Sequence, residues 1–530
     1  MRYRYLILIT LALSALAPGI TTLPVMDRQE AQFAQVSRAL ALSDEAIDPS
    51  DQQGEQFRSL SGFHWVQAAT LRLSRQEDAS EIWVYRVPSV LAAALASVAL
   101  AWAGLPLLGP RAATIAGGII ATLLIVQTEA RLAKADAALL LASVLAMGGL
   151  FRAYLTTIPL KTVILFWTAI AAGLFLDGPV ILLPIIGATL WFWILEGKPI
   201  WLNRLRPVQG LALTAVVLLP WYGPAMLDGE TTFAAVVFAE TQEGQGWRLG
   251  SHALTFWFTF WPWSVLAPLT MVWTWRHRNK RLVHLVAAWC LPAWIMLECM
   301  PTKMPQDTLL LYPGLILLVA ATAHALLKGH IQLSGWPLRL GRAAFLVVFF
   351  ALISLALIGP YRLGTGQSLA AWLIAGSITT TALIALAALR RNRARAALAL
   401  IGTTGVSTAI FLATLGLPRM ETLWLAERMT QATRTENCLI GPVALVGFQH
   451  PSAGFLLGRD TTSMDVAGAK MALAVGDVAA AWMPEPPANR PVEHGGTMIT
   501  GVDFANRRKV QLYLHVSPHA RDQICPTEKD

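Results

Sequence analysis

Apolar runs broken by short polar loops fill most of the chain. Stretches of membrane-spanning length fall near 5–22, 87–108, 112–128, 137–156, 162–176, 179–195 and 208–226. Others follow near 252–275, 282–300, 307–327, 343–360, 369–389 and 396–416. A bilayer crossing takes about 20 apolar residues, so the ends of the shorter runs are defined only to within a few positions. From about residue 418 the pattern changes. Helix gives way to short strand-like runs, Val443-Ala444-Leu445-Val446 and Val510-Gln511-Leu512-Tyr513-Leu514, and the turn-rich Met483–Arg490 lies between them. The pattern predicts an α-helical polytopic membrane protein of about 13 transmembrane helices over residues 1–417. A small α/β domain over 418–530 completes it.

Composition agrees. The 530 residues are 55% hydrophobic and 14% charged, where a soluble chain carries about 25% charged residues. Mean hydropathy is +0.53. The net charge of +9 raises nucleic acid as a partner, but the basic residues recur between apolar runs and line no single face. That distribution excludes nucleic acid and suits loops at a membrane surface. The 20 Trp fit anchoring at headgroup depth, where an apolar ring carries one polar N–H.

Loop charge then orients the helices. Arg2 and Arg4 precede the first; Arg111, Arg152, Lys161, Lys198, Arg204 and Arg206 fall in alternate loops. So do Arg276, Arg278, Lys280, Arg281, Lys328, Arg339, Arg342, Arg390, Arg391, Arg393 and Arg395. By the positive-inside rule that side is cytoplasmic, and an odd helix count places residues 418–530 outside the cytoplasm. This arithmetic needs the first segment to remain as an anchor, although Ser14-Ala15-Leu16-Ala17 also suits a signal-peptide cleavage site. The first exported loop, 23–86, is long and acidic. Phe33, Val36 and Leu40 recur at helical spacing within it, as do Phe63, Val66 and Leu73, so two helices lying in the membrane interface are expected there. Cys438 and Cys525 bracket the last domain and could pair in an oxidising compartment.

Three polar groups could carry chemistry. Asp27 and Glu30, just after the first helix, suit proton abstraction from a hydroxyl or a divalent ion; an ordinary polar interface explains the pair equally. In Glu129-Ala130-Arg131-Leu132-Ala133-Lys134-Ala135-Asp136, two bases and two acids sit between spanning helices. Arg131 and Lys134 could grip a phosphate and Asp136 orient one of them, or the group is a structural salt-bridge knot. Lys303, between Pro301 and Pro305, could hold an anionic headgroup or simply snorkel to the surface. No protein metal site is specified by spacing.

The ordered combination resembles the GT-C glycosyltransferases, in particular the aminoarabinose-transferase and protein-mannosyltransferase-like family. Asp27-Arg28-Gln29-Glu30-Ala31-Gln32-Phe33 resembles its acidic first-loop motif, and Gly62-Phe63-His64-Trp65-Val66-Gln67 the interface helix after it. Tyr85-Arg86-Val87-Pro88 resembles the entry to helix two, Glu129 to Ala137 a Glu-Ala-Arg-Leu-Ala-Lys-Thr-Asp-Ala pattern, and Pro301-Thr302-Lys303-Met304-Pro305 another signature. The resemblance implies transfer of a sugar, with inversion, from a polyprenyl-phosphate donor to a lipid, glycan or protein acceptor. Asp27, Glu30 and Asp136 would handle the acceptor proton; Arg58, Arg131, Lys134 and Lys303 would hold the donor phosphate. Some members use a divalent ion. The sequence departs at polar positions: Gln29 stands for the principal first-loop Asp, Asp177 for a Lys, and Gln245 and Gln306 for His. Glutamine has no useful proton affinity, so a second reading is a degenerate homologue that binds lipid-linked sugar or partners an active paralogue. A transporter is disfavoured, since the ionisable residues gather in loops and no inverted repeat is visible.

Overall fold

The computed structural model describes residues 2–26, 28–42, 62–75, 80–197, 200–227, 249–300, 303–331, 333, 335–448, 450–458, 460–484, 497–503 and 508–523. Asp27, Arg58, Gln245 and Cys525 lie outside the described residues.

Helix occupies each of the apolar stretches. α1 (Arg2–Leu16) leads to two first-loop helices, α2 (Arg28–Leu42) and α3 (Gly62–Ser74), then to α4 (Ile82–Ala121). Next come α5 (Leu124–Glu129), α6 (Asp136–Leu155), α7 (Leu160–Asp177), α8 (Leu182–Glu196) and α9 (Pro207–Leu227). After them follow α10 (Ser251–Thr259), α11 (Ala267–Arg276), α12 (Arg281–Cys299) and α13 (Tyr312–Leu327). α14 (Trp336–Leu363), α15 (Leu369–Arg390) and α16 (Ala394–Phe411) complete the bundle.

Among the described residues, seven elements are long and apolar enough to cross a membrane, fewer than the thirteen apolar runs. Proline and glycine account for much of the difference. α4 holds two of the expected runs, bent at Gly109, whose φ of 71° suits glycine. The 252–275 run is split into α10 and α11 by a turn that follows Pro262, and Pro268 stands in the first turn of α11, where a missing N–H costs nothing. Leu160–Glu196 is one apolar element broken by a short turn after Gly178. α4 is the hub, packing on α1, α6 and α13. The tryptophans divide between two environments. Trp193, Trp275 and Trp336 are exposed as expected of anchors, whereas Trp261 and Trp289 lie fully buried in the core. Their ring N–H groups donate to the carbonyls of Phe345 (3.3 Å) and Leu310 (2.9 Å).

The C-terminal domain has its own core, from Leu425 to Ala520. It contains α17 (Leu425–Thr430), β1 (Val443–Leu445), α18 (Pro451–Leu457), β2 (Thr462–Ser463) and α19 (Val466–Val475). β3 (Ala480–Met483), β4 (Met498–Asp503) and β5 (Arg508–Val516) complete a sheet of order β2-β1-β3-β5-β4. β1 runs parallel to β2 and β3, while β5 is antiparallel to β3 and β4. Cys438 is disulfide-bonded; Cys290 and Cys299 are free.

Candidate functional site

The first loop folds as two helices, α2 and α3, and the inner face of the second is partly polar. Val36 and Leu40 of α2 are buried as expected, and so is Phe63 of α3, yet Val66 and Leu73 are exposed. The inner face of α3 is Phe63, His64, Gln67, Ala68 and Leu71. Two polar side chains turn inward because they have partners there. Gln67 Nε2 donates to the carbonyls of Tyr85 (3.0 Å) and Ala133 (3.1 Å), and its Oε1 accepts from Ser37 Oγ at 2.7 Å. His64 Nδ1 lies 3.2 Å from the same hydroxyl. Burial lowers the His64 imidazole to about 4, against a smaller opposing hydrogen bond to the Phe33 backbone, so the ring is neutral near pH 7.

Glu30 is buried and fully occupied. Its Oε1 accepts from Arg86 Nε at 2.8 Å and from the Ala133 N–H at 2.9 Å; its Oε2 accepts from Arg86 Nη2 and the Met26 N–H, both at 3.0 Å. Arg86 spends its remaining donors on the carbonyls of Ile20, Leu23 and Pro24. A carboxylate with four donors and no exposure has no lone pair free for an acceptor hydroxyl. In this geometry Glu30 clamps the chain after α1 to the start of α4.

Arg131 is likewise committed elsewhere. Its guanidinium donates to the carbonyls of Pro18 (2.7 Å), Ala15 (2.8 Å) and Gln127 (2.6 Å) and to Gln127 Oε1 (2.7 Å). It caps the C-terminal end of α1, where backbone carbonyls lack helical partners.

The other members of the 129–136 group do meet. Lys134, 3% exposed, lies 3.3 Å from Glu129 Oε2 and 3.6 Å from Asp136 Oδ2. Asp136 opens α6 and keeps 23% of its side chain exposed, so it is the accessible acid of the three. Lys303 forms a second pair, donating to Glu298 Oε2 at 2.7 Å and to the Glu298 carbonyl at 2.6 Å; the Gly250 N–H adds a bond to Oε2 at 3.1 Å. α10, which starts beside Gly250, packs against α5 and against the turn Pro305–Leu310, so the two clusters share one end of the bundle. Among the described residues, no group of three His, Cys, Asp or Glu is placed to hold a metal ion.

The C-terminal domain caps this end. Arg38 of α2 donates to the Phe455 carbonyl (2.8 Å) and lies 5.1 Å from the Phe455 ring centroid, while Gln35 donates to the Pro451 carbonyl (3.0 Å). Phe455, fully buried, stands edge-on to Tyr85 at 5.6 Å. A Cβ on Gly454 would come within 2.6 Å of Gln35 Nε2, so glycine allows the close approach. Glu427 on α17 brings a further carboxylate. Burial raises it, and the nearby Arg86 charge opposes the rise. Arg86, Gln67, Glu298 and Glu427 all escaped the sequence reading as site residues. Gln67 and Arg86 do stand inside motifs that the sequence singles out, whereas Glu298 and Glu427 carry no such signal.

Neither a family model nor a curated protein matches the sequence. Solved structures do match. ArnT from Cupriavidus metallidurans in the apo state aligns with a TM-score of 0.69 at 14% identity, covering 99% of this chain and 98% of that one. The same protein bound to undecaprenyl phosphate gives 0.70, also at 14% identity and with 99% of both chains covered. Archaeal oligosaccharyltransferase AglB from Archaeoglobus fulgidus, in complex with an inhibitory peptide and a dolichol-phosphate, gives 0.51 at 12% identity over 91% of this chain and 69% of that one. What is shared at such identities is architecture: over almost its full length this chain has the ArnT-like fold of the GT-C glycosyltransferases.

Proposed function

We propose that this chain is a multi-pass inner-membrane glycosyltransferase that moves a sugar from a polyprenyl-phosphate donor to an acceptor on the periplasmic side. Its N-terminus would be cytoplasmic and its C-terminal domain periplasmic. The observation that carries the reading is the Glu129–Lys134–Asp136 cluster, held at the capped end of the bundle with Asp136 accessible. The full-length likeness in fold to an ArnT that binds undecaprenyl phosphate supports it.

In this reading the acceptor O–H attacks the anomeric carbon and the C–O bond to the donor phosphate breaks on the opposite face. Asp136 takes the acceptor proton, with Asp27 as its partner from the first loop. The departing phosphate gains negative charge, which Lys303, Lys134 and Arg58 neutralise. Membrane lipids surround the donor's polyprenyl tail.

The test is release of undecaprenyl phosphate when the purified full chain receives undecaprenyl-phosphate sugar and membrane extract. Asp136→Asn is expected to slow release by about 10²–10⁴-fold. Unchanged release would remove Asp136 from the mechanism. The Gln at position 29 motivates the second reading, a non-catalytic homologue. Undecaprenyl phosphate binding without release, with release appearing in Gln29→Asp, would favour it.

A further inference from the structure

Residues 130–135 form a buried, irregular link between α5 and α6. A helix would satisfy its own N–H and C=O groups, whereas irregular backbone away from water must find partners among side chains. Here three side chains from three elements converge on two consecutive residues. Glu30 of α2 accepts from the Ala133 N–H at 2.9 Å. Gln67 of α3 donates to the Ala133 carbonyl at 3.1 Å, and Ser89 of α4 donates to the Lys134 carbonyl at 3.0 Å. Ala133 is thus held at its N–H and its C=O, and the carbonyl of the next residue is held as well.

That next residue is Lys134, whose ammonium lies between Glu129 at 3.3 Å and Asp136 at 3.6 Å. A shift of about 1 Å in its backbone would seat it on one carboxylate and take it off the other, a displacement that can cost on the order of 10²-fold in a reaction. We infer that Glu30, Gln67 and Ser89 are positioning residues: they fix the backbone at 133–134 and so set the Lys134 ammonium between Glu129 and Asp136. That the set ammonium then meets a donor phosphate rests on the proposed transferase reading; the fixing itself does not.

The geometry separates this role from plain support of the fold. Among the described residues Ser89 Oγ donates to the Lys134 carbonyl alone, so Ser89→Ala loosens that residue and leaves the Glu30–Arg86 clamp whole. Gln67→Met conserves volume and removes the grip on Ala133.

The experiment uses the full chain in detergent and two measurements on wild type, Ser89→Ala and Gln67→Met. The first is the pH profile of Lys134 acylation by acetic anhydride, read by mass spectrometry with Lys303 as internal reference. The second is the Kd for undecaprenyl phosphate. Both variants are expected to shift the Lys134 profile while leaving that of Lys303 in place, and to weaken undecaprenyl phosphate binding about tenfold. An unchanged Lys134 profile in both variants would overturn the inference. So would a joint shift of Lys134 and Lys303 that tracks the melting temperature, because that pattern is general loosening. If wild type binds no undecaprenyl phosphate but the Lys134 profile still shifts selectively, positioning stands and the donor reading fails.

Discussion

At the end of the bundle that carries α2 and α3, three buried cations meet carboxylates, Arg86 with Glu30, Lys134 with Glu129 and Asp136, Lys303 with Glu298, while the buried Arg131 meets backbone carbonyls. The opposite end carries Arg111, Arg339, Arg342 and Arg390. There the electrostatic neighbours of Arg342 are Arg390 and Arg339, and those of His324 are Lys328, Arg111 and His330. Among the described residues none of these cations forms an ion pair. Burial is the difference. Arg86 and Glu30 have no exposure, and a charge taken out of water costs several kcal/mol unless it is matched. The arginines of the other end remain exposed or half-buried, where solvent screens like charges. One end therefore holds a fixed constellation and the other a diffuse positive surface.

The sharpest way to break this contrast is Arg86→Met, which leaves the buried Glu30 with backbone donors only. It is expected to destabilise the protein by about 3–5 kcal/mol, read from thermal unfolding in detergent. A cost below about 1 kcal/mol would mean that the paired end is no more demanding than the other.

The pH dependence comes next. His64 has a folded pKa of about 4 against 6.5 when free. The unfolded chain binds the extra proton between those values, so stability is complete above about pH 6.5 and is lost as pH falls towards 4. The loss is on the order of 3 kcal/mol in all. Unfolding measured between pH 7 and 4 should show this slope in wild type and a flatter one in His64→Gln. Equal slopes would acquit His64 of the acid sensitivity.

The smallest effect belongs to the diffuse end. Arg342→Gln should change stability by no more than about 0.5 kcal/mol, because no partner is lost. A large loss in the same unfolding assay would reveal a counter-charge there and erase the contrast.

Much of the architecture could be read from hydropathy, because lipid-facing and buried helices both enforce apolar runs that need no knowledge of distant partners. The polar density of Glu129–Asp136 was equally visible. What each charge does there was not. Arg131 and Lys134 lie one helical turn apart in sequence and look interchangeable, yet one faces the carbonyls of α1 and the other two carboxylates. Glu30 and Arg86 are separated by 56 residues, and nothing local ties them. The inner face of α3 is hidden for the same reason: Gln67 turns inward to reach Ala133, 66 positions away, and no local spacing announces that partner. Periodicity reports on burial against an apolar neighbour; it is blind to burial against a backbone that lacks partners.

The clasp between α2 and α18 has a consequence for how the protein is made. Gln35 and Arg38 find their partners 416 and 417 residues later in the chain. At a synthesis rate of about 5–20 residues per second, the first loop waits roughly 20–80 s for its roof. During that interval α2 is held only by earlier-made neighbours: α3, the start of α4 and the Ala133 backbone. The buried ion pair and the amide bonds around Ala133 therefore act as scaffolding during biogenesis. They keep the unroofed site in shape until the last domain arrives, and a nascent chain lacking them would present an open, proteolysis-prone loop.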